Sequence, residues 1–215
     1  MDICCSYNAM VDEIKTANFI ISLDFELYWG VSNSKKISKY SENLDGVRVA
    51  IPKILELFKK YKISATWATV GMILFKDYHE WLDIRPKKYP KYTKLNSAYE
   101  LDNLVKKYPK FFFAPDLVNE ILKFPHQEIA SHTFSHICCL EEGISNEDFI
   151  SDLNILKTIT EQKKIELKII FFPRNQFNDN CLNEINILGY KTYRGNPKNF
   201  LYRNGHHPKG GFFSR

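Results

Sequence analysis

The stretch QEIASHTFSH, residues 127 to 136, joins a strand-like segment to a motif with two histidines. The segment QEIAS is short and becomes apolar toward its end, which predicts a buried β-strand. His132 and His136 follow at a spacing of four, which on a helical turn would place both rings on one face. Neutral imidazoles so placed can share one divalent ion, and two surface or capped histidines are the alternative. A metal would usually take a third ligand, often a carboxylate.

Strand-like and helix-like segments alternate along the chain on both sides of this stretch. Apolar, β-branched segments predict strands at 18–25, 63–70, 127–131, 166–173 and 190–194. Apolar residues at helical spacing predict helices at 45–62, 145–164 and 178–189, with Ser145 as an N-cap. Residues 72–125 give mixed signals and are interpreted as an insertion. The alternation predicts an α/β fold built from parallel βαβ units.

Polar residues follow three of the predicted strands at their carboxyl ends. Asp24 and Glu26 come after FIISL, the histidines come after EIA, and Arg174 comes after IIFFP. Loops at the carboxyl ends of parallel strands converge on one edge of the sheet. Asp24 and Glu26 are costly to bury within an apolar run unless they are compensated, so they are candidates for a metal ligand and a general base. Arg174 is a candidate partner for a carboxylate.

The bulk properties restrict the possible classes of protein. The 215 residues suit a single domain, with residues 1–18 as an N-terminal extension, and the 44% hydrophobic content allows a packed core. The net charge of +5 comes from dispersed lysines, which argues against a nucleic-acid partner. Five cysteines without a CxxC pair indicate a reducing compartment. The acidic N-terminus is unlike a signal peptide and no stretch reaches membrane-spanning length, so we expect a cytoplasmic protein without a membrane partner.

Three motifs together resemble those of the polysaccharide deacetylase family, also known as the NodB homology or carbohydrate esterase family 4 group. They are SLDFE, SHTFSH and FFPRNQ, in the family's order and each at a strand end. The pattern His-Ser/Thr-x-x-His is the most specific of them. The resemblance covers residues 19–195 and implies a (β/α) barrel, often seven-stranded, with a divalent metal that is commonly zinc. Since only five strands are predicted here, we expect an incomplete barrel in a truncated chain.

The resemblance also implies roles for individual residues. Glu26 would bind the metal with His132 and His136, and Asp24 would act as the base. The family usually has an Asp-Asp pair where this chain has Asp24-Phe25-Glu26. The family's arginine precedes its proline, whereas Arg174 follows Pro173, and we expect Arg174 to be catalytic.

The implied activity is hydrolysis of N-acetyl groups on a sugar or polysaccharide by metal-activated water. Two alternatives stay open: hydrolysis of another non-peptide C–N bond, and a non-catalytic remnant that lacks the general acid. His206 and His207 are the remaining histidines after the third motif and are candidates for that acid, or parts of a mobile tail. Tyr28, Trp29 and Trp67 could stack on a sugar ring or pack in the core.

Overall fold

The computed structural model describes residues 19–196, which form a fully parallel five-stranded sheet. The order of the strands in the sheet is their order in the chain. This is the arrangement of consecutive βα units in a (β/α) barrel. All five predicted strands are confirmed, although the last two contain only two residues each. The strands are β1 (Ser22–Phe25), β2 (Ala65–Thr69), β3 (Gln127–Ser131), β4 (Ile169–Ile170) and β5 (Thr192–Tyr193).

Helices lie between successive strands, as the sequence predicts. The helix between β1 and β2 begins at Ile37 rather than at Asp45, because Ile37, Tyr40 and Leu44 continue the apolar side of the helix toward its N-terminus. The helices are α1 (Leu27–Val31), α2 (Ile37–Tyr61), α3 (Tyr78–Ile84), α4 (Asp102–Lys107), α5 (Pro115–Lys123), α6 (Asn146–Gln162) and α7 (Asp179–Ile187). None of the helices within residues 19–196 is both long and apolar enough to cross a membrane.

The segment 72–125 forms the connection from β2 to β3. It contains α3, α4 and α5, and α5 buries Leu117, Val118 and Ile121 in the main core. Trp29 in α1 donates a hydrogen bond from Nε1 to the carbonyl of Phe112, which ties the segment to the end of β1. The interpretation of this segment as an insertion stays a prediction.

The two faces of the sheet have different roles because successive side chains on a strand point to opposite sides. Phe25, Trp67 and Ile129 pack into the core beneath the helices. Ala68 and Ala130 form a separate small cluster with Phe171. Asp24, the neighbour of Phe25, points away from that core and is exposed. Asp24 therefore lies on the face opposite the main core, near the carboxyl edge of the sheet.

The three aromatic residues considered for sugar stacking are core residues. Trp67 is 3% exposed, and Tyr28 and Trp29 are buried to a similar degree. Tyr28 and Trp29 both meet the ring of Phe112 edge to face. Because their faces are covered by protein, the core interpretation is correct for all three.

Candidate metal centre

Glu26 is placed by a sharp turn at the end of β1. Leu27, the first residue of α1, has a positive φ of 47°. The carboxylate of Glu26 lies directly against Gly30 of α1. A Cβ at position 30 would lie 2.0 Å from Cδ of Glu26. Glycine is therefore required at position 30 by the location of the Glu26 carboxylate.

Replacing Gly30 by alanine is expected to displace the Glu26 carboxylate and to weaken metal binding by about tenfold or more. Alanine is a better helix former than glycine by about 1 kcal/mol, so the substitution should not weaken α1 itself. A lower metal affinity would therefore come from the displaced carboxylate. Chelator competition with the purified protein measures the effect. Gly46→Ala in α2 is the matched control, since a Cβ there meets nothing within 4 Å. Equal metal affinity in Gly30→Ala and wild type would contradict the placement of Glu26.

His132 and His136 lie on a loop after β3, so the expectation of a helical turn is wrong. Thr133 and His136 have positive φ values of 61° and 56°. Side chains replace the helical hydrogen bonds locally: the Ser131 hydroxyl accepts from the N–H of Thr133, and the Thr133 hydroxyl accepts from that of Ile137. The loop still brings the two rings together, with their centroids 5.0 Å apart.

Glu26, His132 and His136 form one cluster at the carboxyl edge of the sheet. Oε2 of Glu26 is 3.4 Å from Nε2 of His132 and 3.1 Å from Nε2 of His136. The three potential ligand atoms all lie within 4.8 Å of one another. Nδ1 of His132 is 2.9 Å from the carbonyl oxygen of Phe171. A hydrogen on Nδ1 donated to that carbonyl leaves the Nε2 lone pair facing the cluster. Two imidazoles and a carboxylate in this arrangement fit a divalent transition metal.

The protonation states of the cluster also suit a metal. Burial alone would raise the pKa of Glu26, but when the histidines carry hydrogen on Nε2 instead, the hydrogen bonds from His132 and His136 and their charges lower it to about 2. Burial lowers the pKa of His136 in spite of its contact with Glu26. At neutral pH the carboxylate is thus ionised and the His136 imidazole neutral. These are the forms that coordinate a metal.

Asp24 stands apart from this cluster and pairs with Arg194. Its Oδ1 is 3.4 Å from Nη2 of Arg194, which follows β5. Nη1 of Arg194 is 3.3 Å from the hydroxyl of Ser22, and its guanidinium lies over the ring of Phe171. Arg194 thus reaches from the end of β5 to β1. Sequence reasoning missed this role, although a basic residue at the end of the predicted strand YKTYR was a usable signal.

Arg174 does not occupy the position beside Asp24. Its Nη1 is 3.2 Å from Oε1 of Glu141, in the loop that follows the histidines. Arg174 and Asn175 both have positive φ values, which turn the chain sharply after β4. The structure therefore pairs Arg174 with a carboxylate outside the three motifs, and its catalytic role stays a prediction. His206 and His207, the candidate general acids, lie outside the described residues.

A narrow polar cleft opens beside His136. Its walls come from α1, from the segment before α4, from the histidine loop and from the turn after β4. The polar side chains in the walls offer both hydrogen-bond donors and acceptors. They include Ser32, Asn33, Tyr92, Asn96, Ser135 and Arg174.

The sequence matches the family model described as polysaccharide deacetylase over residues 45–193. This is more than half of the chain, and the chain therefore belongs to the polysaccharide deacetylase family. The matched range includes His132 and His136, whereas Asp24 and Glu26 precede it. No curated protein is significantly similar in sequence.

The solved structures to which the chain is similar are distant in sequence. A candidate polysaccharide deacetylase from Mycobacterium smegmatis is 12% identical with a TM-score of 0.53, and the match covers 80% of this chain and 48% of that one. The chitin deacetylase of Colletotrichum lindemuthianum is 16% identical with a TM-score of 0.45, at 82% and 54% coverage. A carbohydrate esterase family 4 pseudoenzyme from Bacillus anthracis is 15% identical with a TM-score of 0.44, at 81% and 42%. The chain thus spans about half the length of the structures it matches.

Proposed function

We propose that this chain is a metal-dependent hydrolase that removes N-acetyl groups from an N-acetylated carbohydrate. The observation that carries the proposal is the convergence of Glu26, His132 and His136 from two strand ends that are remote in sequence. Membership of the polysaccharide deacetylase family supports the reaction class.

The roles of the residues follow from their positions. Glu26, His132 and His136 would hold the ion. A divalent ion bound there supplies Lewis acidity toward an amide carbonyl and toward a water molecule. Asp24, two residues before Glu26, would accept a proton from the attacking water as general base. Arg194 would hold the Asp24 carboxylate in place through the contact at the end of β5.

Acetate release tests the proposal directly. Purified protein loaded with zinc is expected to release acetate from N-acetylglucosamine oligomers, and chelation should abolish the release. Bound metal without acetate release from N-acetylated sugars would favour hydrolysis of another non-peptide C–N bond. A folded protein that binds no metal would contradict the proposal and favour a non-catalytic remnant. Zinc as the metal, the cytoplasmic location and the absence of nucleic-acid and membrane partners stay predictions.

A further inference from the structure

Asp152 is a buried acid that the proposed reaction does not use. It lies on α6, on the side that buries Phe149, Leu153 and Leu156, and is only 2% exposed. Within residues 19–196 no basic side chain forms an ion pair with it. A buried carboxylate is costly unless hydrogen bonds compensate it. Its hydrogen bonds therefore indicate what the residue does.

Within residues 19–196, all the hydrogen bonds of Asp152 go to the loop between the two histidines. Oδ2 accepts from the N–H of Phe134 at 2.7 Å, and Oδ1 accepts from the N–H of Ser135 at 3.0 Å. The Ser135 hydroxyl donates to Oδ1 as well. One carboxylate thus binds the N–H groups of both residues that separate Thr133 from His136.

This loop has a backbone that needs such support. Thr133 and His136, on either side of the two bound peptides, have positive φ values, which cost of order 1–3 kcal/mol each. Backbone bonds also hold the loop: the N–H groups of Gly71 and Met72 donate to the carbonyls of Thr133 and Phe134, and the N–H of His132 donates to the carbonyl of Thr69. The N–H of Cys138 donates to the hydroxyl of Tyr92. Only Asp152 holds the centre of the loop by a charged group within the described part of the chain.

The charge of Asp152 strengthens the contact. Burial raises the pKa of this carboxyl to about 6, against the hydrogen bonds from Ser135 and Phe134 that lower it. The group is therefore mostly ionised at neutral pH. Hydrogen bonds to an ionised acceptor are roughly twice as strong as neutral ones.

We propose that Asp152 is a positioning residue that sets the separation and orientation of His132 and His136, so that metal affinity and metal geometry depend on a carboxylate in α6. The inference rests on the proposed metal site. Asp152 acts through the peptides of Phe134 and Ser135 and does not contact the cluster itself. The matching of one carboxylate to two consecutive N–H groups explains why an acid is present at a core position of α6.

Asp152→Asn tests this role because the amide has the same shape but presents a donor to one of the two N–H groups. We expect metal affinity to fall about 10- to 100-fold, as for other residues that orient ligands. The visible spectrum of the Co²⁺-loaded protein should change too, since it reports ligand geometry. In the metal-free protein, the amide hydrogens of Phe134 and Ser135 should exchange faster than in wild type.

Asp148→Asn is the matched control on the same helix. It removes the capping carboxylate that accepts from the N–H of Ser145 and lowers stability without contacting the histidine loop. We expect wild-type metal affinity and a wild-type Co²⁺ spectrum for this variant. A similar loss of affinity in both variants would mean general destabilisation and would overturn the proposal.

The outcomes separate this inference from the proposed function. A folded Asp152→Asn with wild-type affinity, spectrum and exchange would overturn the positioning role alone. A wild type that binds no metal would end the proposed function, and amide exchange would still report whether Asp152 orders the loop. If Asp152→Asn does not fold, Ser135→Ala removes the hydroxyl contact with Asp152 and keeps both N–H contacts. A several-fold loss of affinity with a spectral change is expected there, and unchanged binding would overturn the proposal.

Discussion

Replacing His136 by alanine is expected to abolish the proposed metal binding and, with it, the proposed hydrolytic activity. Nε2 of His136 lies 3.1 Å from Glu26 and is one of three atoms that could hold the ion. Loss of residues that merely orient ligands costs about 10- to 100-fold in affinity, so loss of a ligand should cost more than about 100-fold. Elemental analysis after dialysis and chelator competition measure the loss.

His132→Ala should lose the metal equally but should also lower stability. The His132 ring is buried and hydrogen-bonded to the carbonyl of Phe171, which would be left without that partner at a cost of about 1–3 kcal/mol. His136→Ala is thus the cleaner variant. His79→Ala is the matched control, because His79 is exposed in the first turn of α3. Retention of one tightly held ion in folded His136→Ala would contradict the site.

Replacing Asp24 by asparagine is expected to lower kcat/KM by about 10²- to 10⁴-fold while the metal stays bound. The reason is that Asp24 is the proposed proton acceptor but is not a member of the ligand cluster. Acetate release measures the loss of kcat/KM, and elemental analysis of the same preparation shows whether the metal stays bound. Loss of the metal in Asp24→Asn would instead assign Asp24 to the metal.

Arg194→Met should lower kcat/KM about tenfold, and Arg194→Lys should restore part of the loss. The effect is modest because both partners are about a third or more exposed, which screens the contact. Arg194 acts through Asp24, so its substitution should add little in an Asp24→Asn background. Arg174→Met should be additive with Asp24→Asn, since Arg174 contacts Glu141. If the Arg174 substitution were non-additive with Asp24→Asn and the Arg194 substitution additive, Arg174 would be the residue that positions Asp24.

Local patterns of the sequence predicted the order of strands and helices well. The strand QEIAS occurs with the predicted bounds, and Ser145 caps α6 as expected. Such features depend on residues close in the chain, through side-chain alternation and capping. The predicted helical turn of the histidines is absent, because side-chain hydrogen bonds compete with helical ones in the loop of Thr133. The predicted start of α2 was also wrong, since the helix begins at Ile37.

The sequence by itself determined the types of side chain at the carboxyl edge: two histidines, two acids and an arginine at strand ends. Only the tertiary structure decided how they pair. Glu26, the acid that the family resemblance implied, lies with the histidines, and Arg194 rather than Arg174 reaches Asp24. The physical reason is that these contacts join residues far apart in the chain. Their distances depend on strand register and on turns such as the one at Leu27, which no local pattern specifies.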